Sequence, residues 1–507
     1  MAFLFFLLAL PVILFILLQT NRPKKPSNLP PGPPGLPIIG NLLQIDNSSV
    51  HRSLAQLSQN HGPLMFLQLG FVPSIVISSS KLAKEVMKTQ DLAFCSRPTL
   101  TGQQRLSYNG LDLVFSPYDS YYTEMRKICM VHLFHPTRVQ TFRPIREYEV
   151  SQMIHKITSK IGSTPDKPVN LSEAMMYLTS TIISRVGFGK RYEEEGIERS
   201  RFQSLLNESQ AMFTNFFIGD YFPYMGFVDK LNGSTARLEK NFREFDDFYQ
   251  EVIDERLDPK RGKTPEQEED ILDVLLQVMN APSSKVQLTF NHVKSLLMNV
   301  FLAGTDTGAA TVVWAMSFLM KNPETMKKIQ QEVRSSIEAT KGFVNEDDLH
   351  QLSFLKAVVK ETFRLQPTVP LLVPRQTTEK TRLDGYDIPA KTLVQINTWA
   401  IGRDPEVWES PEEFKPDRFL DNSSSTSTVD IFGQSFELTP FGAGRRICPG
   451  LHMGLVTVEL ALANLVYKFD WEMPVGMKKE DVDMEVIPGI TMHKRNHLCL
   501  VAKRPII

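Results

Sequence analysis

The chain has 507 residues, 42% of them apolar, an ordinary globular composition that excludes a disordered, collagenous or disulfide-stapled protein. Its 56 basic and 57 acidic side chains leave a formal charge of −1, so no long-range field favours a polyanion and nucleic-acid binding is set aside. The four cysteines, Cys95, Cys129, Cys448 and Cys499, have neither metal-site spacing nor the pairing of a secreted framework, which points to a reducing compartment.

In chain order, the first predicted element is the 17-residue apolar run Ala2 to Leu18. As a helix at ~1.5 Å per residue it is about 26 Å long, close to the hydrocarbon thickness of the endoplasmic reticulum. Arg22, Lys24 and Lys25 follow the run instead of preceding it. That order favours a retained single-pass anchor, with everything beyond it cytosolic, over a cleaved signal peptide, although Pro11 interrupts the run. On the cytosolic face the Asn-x-Ser sequons at Asn47, Asn170, Asn207, Asn232 and Asn422 carry no weight. Seven prolines between Pro23 and Gly40 then predict an extended, semi-rigid spacer. The expected division is anchor 1–20, proline-rich hinge 21–40 and one catalytic domain, 41–507.

From residue 50 to 330 most segments carry helical periodicity, as in Val50, Leu54 and Leu57 or Phe242 to Leu257, while strand-like pieces (Met65 to Leu69, Ser74 to Ile77, Thr392 to Ile396) are short. Asp258 to Asp270 reads as an exposed loop and Asp421 to Thr428 as a turn cluster. The fold class is therefore mainly α with small β-sheets. Asn291 to Met320 is nearly free of charge after Lys294, and a helix apolar all round is normally buried. Gly304 and Gly308 interrupt it at about 1 kcal/mol each relative to alanine, so the spot needs either close approach or a local distortion.

Near the C-terminus, Phe441-Gly442-Ala443-Gly444-Arg445-Arg446-Ile447-Cys448-Pro449-Gly450 precedes the apolar helical run Leu451 to Phe469. A cysteine at a helix mouth, among glycine-exposed N–H groups, is expected to hold a thiolate, with Pro449 in the first helical turn. An inert buried cysteine is the plainer alternative for such a residue. A glycine-rich loop with two arginines suits a metal-bound anion better than a hydrophobic plug.

This segment resembles the haem-binding signature of the cytochrome P-450 family, F-x-x-G-x-R-x-C-x-G, at Phe441, Gly444, Arg446, Cys448 and Gly450. Three further segments resemble the same family. Glu361-Thr362-Phe363-Arg364 has the E-x-x-R spacing, and Phe414 to Phe419 carries the arginine, Arg418, that joins that pair. As a solvated surface contact the pair would contribute under ~1 kcal/mol. The resemblance instead implies a structural triad of Glu361, Arg364 and Arg418. Ala303 to Thr307 is similar to the oxygen-activating A-G-x-D/E-T motif, with Gly308 where a hydroxyl customarily follows. Tyr122-x-x-x-Arg126 fits the membrane-bound plant branch, with tyrosine where tryptophan usually stands. Thr101 to Gln104 with Ser107 and Tyr108, and Met130 to Phe134, look most similar to the subfamily that oxidises aldoximes on the way to glucosinolates.

The resemblance implies haem b with Cys448 as the thiolate ligand to iron, which favours O–O cleavage. Asp306 is expected to relay protons and Thr307 to hold the oxygen-side hydrogen-bond network; the alternatives are a buried salt bridge for Asp306 and a backbone bond to the i−4 carbonyl for Thr307. Phe441 and Tyr122 are expected against the haem, and Arg126, Arg375 and Arg446 at its propionates. His452, one turn beyond Cys448, is expected to be packing or surface. Tyr108, Phe115, Ala303, Val369, Leu371 and Ile490 are expected to line a cavity for a small hydrophobic substrate. No flavin or nicotinamide fingerprint is present, so electrons are expected from a partner, and the resemblance implies an NADPH-dependent flavoprotein reductase on the same membrane, docking near Arg445. The leading expectation is an O2-dependent monooxygenase. A haem-thiolate isomerase or dehydratase working without O2, and a non-catalytic haem sensor or electron carrier, are the alternatives.

Overall fold

A computed structural model describes residues 28–163, 166–192, 197–259, 269–281, 286–338, 340–421 and 426–505. The predicted anchor 1–20, the first part of the hinge and parts of the 258–270 and 421–428 segments lie outside the described residues.

The long apolar segment folds as one continuous helix, Phe290–Lys321, of 32 residues. It opens where His292 Nδ1 accepts the Thr289 N–H at 3.1 Å, and it stops at Asn322, ahead of the proline that begins the next helix, Pro323–Ser336. It is the one described helix long and apolar enough to cross a membrane, yet it runs through the interior. Its main neighbour is the helix Leu171–Phe188, followed by Leu451–Lys468 and Ser353–Leu365. A Cβ on Gly304 would sit 2.5 Å from Ile183 Cδ1, and one on Gly308 would sit 3.3 Å from Thr179 Cγ2. These glycines therefore serve close helix approach, and the helix runs on through them without a break.

The β content is small, as the sequence predicts. Leu64–Leu69 and Val72–Ile77 form an antiparallel hairpin, Leu393–Ile396 joins it in parallel with Val394 opposite Ile75, and Arg375–Gln376 closes the sheet. A three-stranded sheet (Val169–Asn170, Cys499–Lys503, Asp470–Glu472) and a two-stranded one (Val486–Ile487, His493–Lys494) lie near the C-terminus. The second half of the proline-rich segment is held on the first sheet: Phe66 N–H donates to Pro31 O at 2.8 Å, and Gly40 bridges Leu69. A Cβ on Gly32 would lie 2.0 Å from Phe66 O, which explains the glycine between the prolines.

The helix after the cysteine loop is Leu451–Lys468, with Gly450 as its N-cap. Pro449 therefore precedes the helix, a correction to the expectation that it occupies the first turn. One turn on, exposed His452 stacks on Phe432 at the surface.

Glu361, Arg364 and Arg418 form a buried cluster beneath the core. Arg364 Nε donates to Glu361 Oε2 at 2.7 Å and Nη2 to Oε1 at 2.8 Å, while Arg418 Nε reaches Oε1 at 3.1 Å. Carbonyl oxygens of Gly402, Pro411 and Glu413 take the remaining Arg364 donors, and Trp408 lies 5.3 Å from its guanidinium.

Candidate functional site

A cavity of about 290 Å³ opens between the middle of Phe290–Lys321 and the cysteine loop. The loop reaches it through two strained turns. Gly442 and Gly444 have φ of 66° and 67°, and a Cβ on Gly444 would sit 2.1 Å from Met87 O, so no side chain fits there. The Cys448 N–H donates to Phe441 O at 2.9 Å, which folds the loop back so that Phe441 and Cys448 both line the cavity; Phe441 packs edge-on against Phe363 at 5.3 Å. Burial pushes the Cys448 thiol up, against the opposing pull of the Gly450 amide and the Arg126 guanidinium. The Gly450 amide and the Arg126 guanidinium oppose that burial at the sulfur, and a cation bound there would favour the thiolate further.

Four guanidiniums line the same cavity: Arg97, Arg126, Arg375 and Arg446. Arg446 donates to Cys95 O and Ser116 O, both at 2.7 Å, and lies over the Tyr122 ring at 3.7 Å. Its Nη1 is buried and without a partner among the described residues. Arg126 donates to Ile447 O at 2.9 Å and Tyr122 hydroxyl to Arg445 O at 2.8 Å, tying the Ser120–His132 helix to the cysteine loop. Arg375 differs: it pairs with buried Asp91 at 3.0 Å and donates to Ala443 O at 2.8 Å. Arg445 shares Asp91, at 3.2 Å, and is about half exposed.

Arg97 was not singled out from the sequence. It donates to Val114 O (2.8 Å), Val373 O (2.6 Å) and Pro374 O (2.8 Å), and burial presses its pKa well down. Nothing local to Ser96-Arg97-Pro98 signals this, since Val373 is 276 positions away. Three cavity guanidiniums, Arg97, Arg126 and Arg446, are thus answered by carbonyl dipoles and the Tyr122 hydroxyl, not by carboxylates, and one carries an orphaned donor. Buried cations so arranged call for an anionic partner, and a porphyrin bearing two carboxylates with iron at the cysteine sulfur fits that donor set. Replacing Arg97 with methionine is expected to speed haem loss to an acceptor such as apomyoglobin by about tenfold or more. An unchanged rate would remove Arg97 from the haem contacts.

The rest of the lining is largely aliphatic, including Leu113, Leu296, Val300, Ala303, Val369 and Leu372, with Asn299 and a few threonines, Thr307 and Thr368 among them, as polar groups. Ala303 and Val369 stand where the sequence places them. Leu371 does not line the cavity: Leu372, at φ 53°, takes that position and Leu371 packs under the first sheet. Tyr108 lies outside the lining, its hydroxyl donating to Asp246 at 2.9 Å and its ring against Phe242. Phe115 is stacked on Phe213, and Ile490 packs against the main core. A motif locates a segment, whereas the turn decides which neighbour faces inward. Asn299 donates to Asp112 at 2.9 Å and accepts the Leu113 N–H at 3.0 Å, fixing the loop that brings Leu113 and Val114 to the cavity. Burial raises the Asp112 carboxyl to about 6 despite these bonds.

The Asp306–Thr307 pair is split by the helix. Thr307 lines the cavity, its hydroxyl donating to Ala303 O at 2.8 Å. Asp306 is buried and turned away, where its Oδ2 accepts from the Gln210 amide and faces His493 Nε2 at 3.6 Å.

Residues 30–501 match the family model described as "Cytochrome P450". The chain is 48% identical to the 5-OH-xanthotoxin synthase of Ammi majus over 98% of its own length and 97% of that protein. It is equally similar, at 48%, to the 6,7,8-trihydroxycoumarin synthase of Pastinaca sativa, with 99% and 98% covered. A solved zebrafish structure superposes with a TM-score of 0.72 at 23% identity, over 90% of this chain and 99% of that one.

Proposed function

The chain belongs to the cytochrome P-450 family, and from that membership we propose that this haem b monooxygenase hydroxylates a planar aromatic lactone of the coumarin class. The observation that carries the substrate class is the full-length similarity to two plant enzymes whose names both describe hydroxylated coumarin-type products. The aliphatic lining supports it, since a flat ring buries apolar surface between Leu113, Val300 and Val369 and leaves orientation to Asn299 and Thr368. In this reading electrons come from an NADPH-dependent flavoprotein reductase, and residues 1–20 anchor the enzyme in the endoplasmic reticulum membrane with the catalytic domain cytosolic.

Haem b supplies dioxygen activation when bound, and a thiolate ligand favours O–O cleavage. The protein's part begins with Cys448 presenting its sulfur, while Arg97, Arg126 and Arg446 hold the propionate side. The aliphatic wall excludes water that would release reduced oxygen unproductively. Thr307 positions a hydroxyl at the edge of the substrate space, and Asp306 behind it manages protons.

Oxidation of an aldoxime is the competing reading. Of the segments that suggest it, Leu133 and Phe134 reach the cavity, while Thr101 to Gln104, Ser107 and Tyr108 do not. Reconstitution with reductase and NADPH, against coumarins, furanocoumarins and aromatic and aliphatic aldoximes, tests the choice. A high-spin shift and a hydroxylated product are expected with a coumarin and none with the aldoximes. Turnover of an aldoxime with inert coumarins overturns the substrate assignment, and product formation without O2 consumption overturns monooxygenation itself.

A further inference from the structure

Asp306 poses a supply problem. Its carboxylate is buried, with the side chain 6% exposed, and it faces away from the cavity, so any proton it passes toward Thr307 must reach it from behind. Two groups lie beside its Oδ2. The Gln210 amide, from the helix Ile197–Thr214, donates a hydrogen bond but has no proton to give up. The other is His493 Nε2, at 3.6 Å, on the strand His493–Lys494 that pairs with Val486–Ile487. His493 is 29% exposed at its side chain, so one end of the ring faces the acid and part of the residue faces water. Neighbouring Lys494 is turned away, its ammonium on the Asp483 carboxylate at 2.7 Å. Among the described residues His493 is therefore the titratable group that joins Asp306 to solvent, and imidazole is the side chain suited to hand protons on near neutral pH.

We propose that His493 is a positioning residue of the monooxygenase: the port through which solvent protons reach Asp306. The inference rests on the monooxygenase reading above and deepens it. The overall reaction consumes a C–H bond, O2, two electrons from the reductase and two protons, and yields an alcohol or phenol and water. For each proton, the Nε2–H bond of the imidazolium breaks and an O–H bond forms at Asp306 Oδ2, leaving neutral imidazole and a carboxylic acid. The protonated side chain then swings from Gln210 toward Thr307, where the hydroxyl oxygen accepts the proton as the hydroxyl's own proton passes into the cavity; Asp306 returns as carboxylate, and the imidazole takes a replacement from bulk water. A small side-chain shift brings the 3.6 Å separation within hydrogen-bond reach. Gln210 holds the carboxylate in its resting position beside His493.

The test uses the full-length holoenzyme with any substrate that shifts its spectrum, and compares His493→Gln with His493→Phe. Glutamine keeps a hydrogen-bond donor but cannot relay a proton, so it separates a port from a tether. Both variants are expected to divert electrons to peroxide, raising peroxide per NADPH at least about threefold with the spectral Kd for substrate unchanged. The solvent deuterium effect on product formation is expected to grow in both. Coupling restored in His493→Gln, or unchanged in both variants, overturns the proposal. A second readout does not depend on turnover: carbethoxylation of individual histidines, mapped by mass spectrometry. Asp306→Asn is expected to raise the labelling rate of His493 about threefold and leave exposed His452 unaltered. Equal His493 labelling in the two proteins means the contact does not exist in solution, and that too overturns the proposal. If coumarins prove inert while another substrate shows peroxide diversion in both His493 variants, the substrate assignment fails and the port stands.

Discussion

Replacing Cys448 with serine is expected to abolish the strongly red-shifted carbon monoxide band of the reduced protein and to lower hydroxylation by about a thousandfold or more. A thiolate pushes electron density onto the iron and favours O–O cleavage, whereas a serine hydroxyl is a weak ligand and a neutral histidine donates less. The surroundings sharpen the expectation. Burial already pushes the sulfur toward its protonated form, and the Gly450 amide and Arg126 only partly offset this. Carbon monoxide difference spectra and haem content of the serine and histidine variants are the measurements. Haem retained with an unaltered spectrum in Cys448→His would overturn the assignment of the ligand and everything built on it.

The second large effect is expected in the fold. Glu361→Gln conserves shape but leaves Arg364 and Arg418 sharing a buried site without a counter-charge. Removing one member of a buried ionic cluster costs about 3–5 kcal/mol, because the remaining charge is neither hydrated nor paired. The two arginines keep their contacts to the carbonyls of Gly402, Pro411, Glu413 and Glu409, which hold the cluster in place but do not neutralise it. The Lys415 N–H, now 2.8 Å from a carboxylate oxygen, keeps only a neutral amide oxygen as its acceptor. A fall in the urea midpoint and in the yield of holoenzyme is expected. The exposed pair Arg201–Glu251, with side chains 46% and 54% exposed, serves as the internal control, and Glu251→Gln is expected to cost under ~1 kcal/mol. Equal effects of the two substitutions would show that the E-x-x-R pair is an ordinary surface contact, the plainer alternative allowed by its spacing.

The cysteine loop was legible because its requirements are local. Gly444 is needed where φ is positive and Met87 O presses in, and Phe441 is needed where the Cys448 N–H turns back. The central helix was legible for the same kind of reason: a long segment nearly free of charge and apolar all round is normally buried. The expected substrate contacts fared less well. Tyr108 and Phe115 are aromatic and lie in the right stretch, yet each is held by a partner far along the chain, Asp246 in one case and Phe213 in the other.

By itself, then, the amino-acid order determined the helical class and the buried central helix, and it located the cysteine loop and the Asp306–Thr307 segment, since periodicity, glycine requirements and helix spacing are properties of contiguous residues. The tertiary structure alone decided that Arg97 joins Arg126 and Arg446, that Asp306 turns its back on the cavity, and that His493 stands behind it. Those outcomes depend on which side chains meet when segments hundreds of positions apart bury a common apolar surface. A buried charge takes whatever partner that packing brings within hydrogen-bond reach.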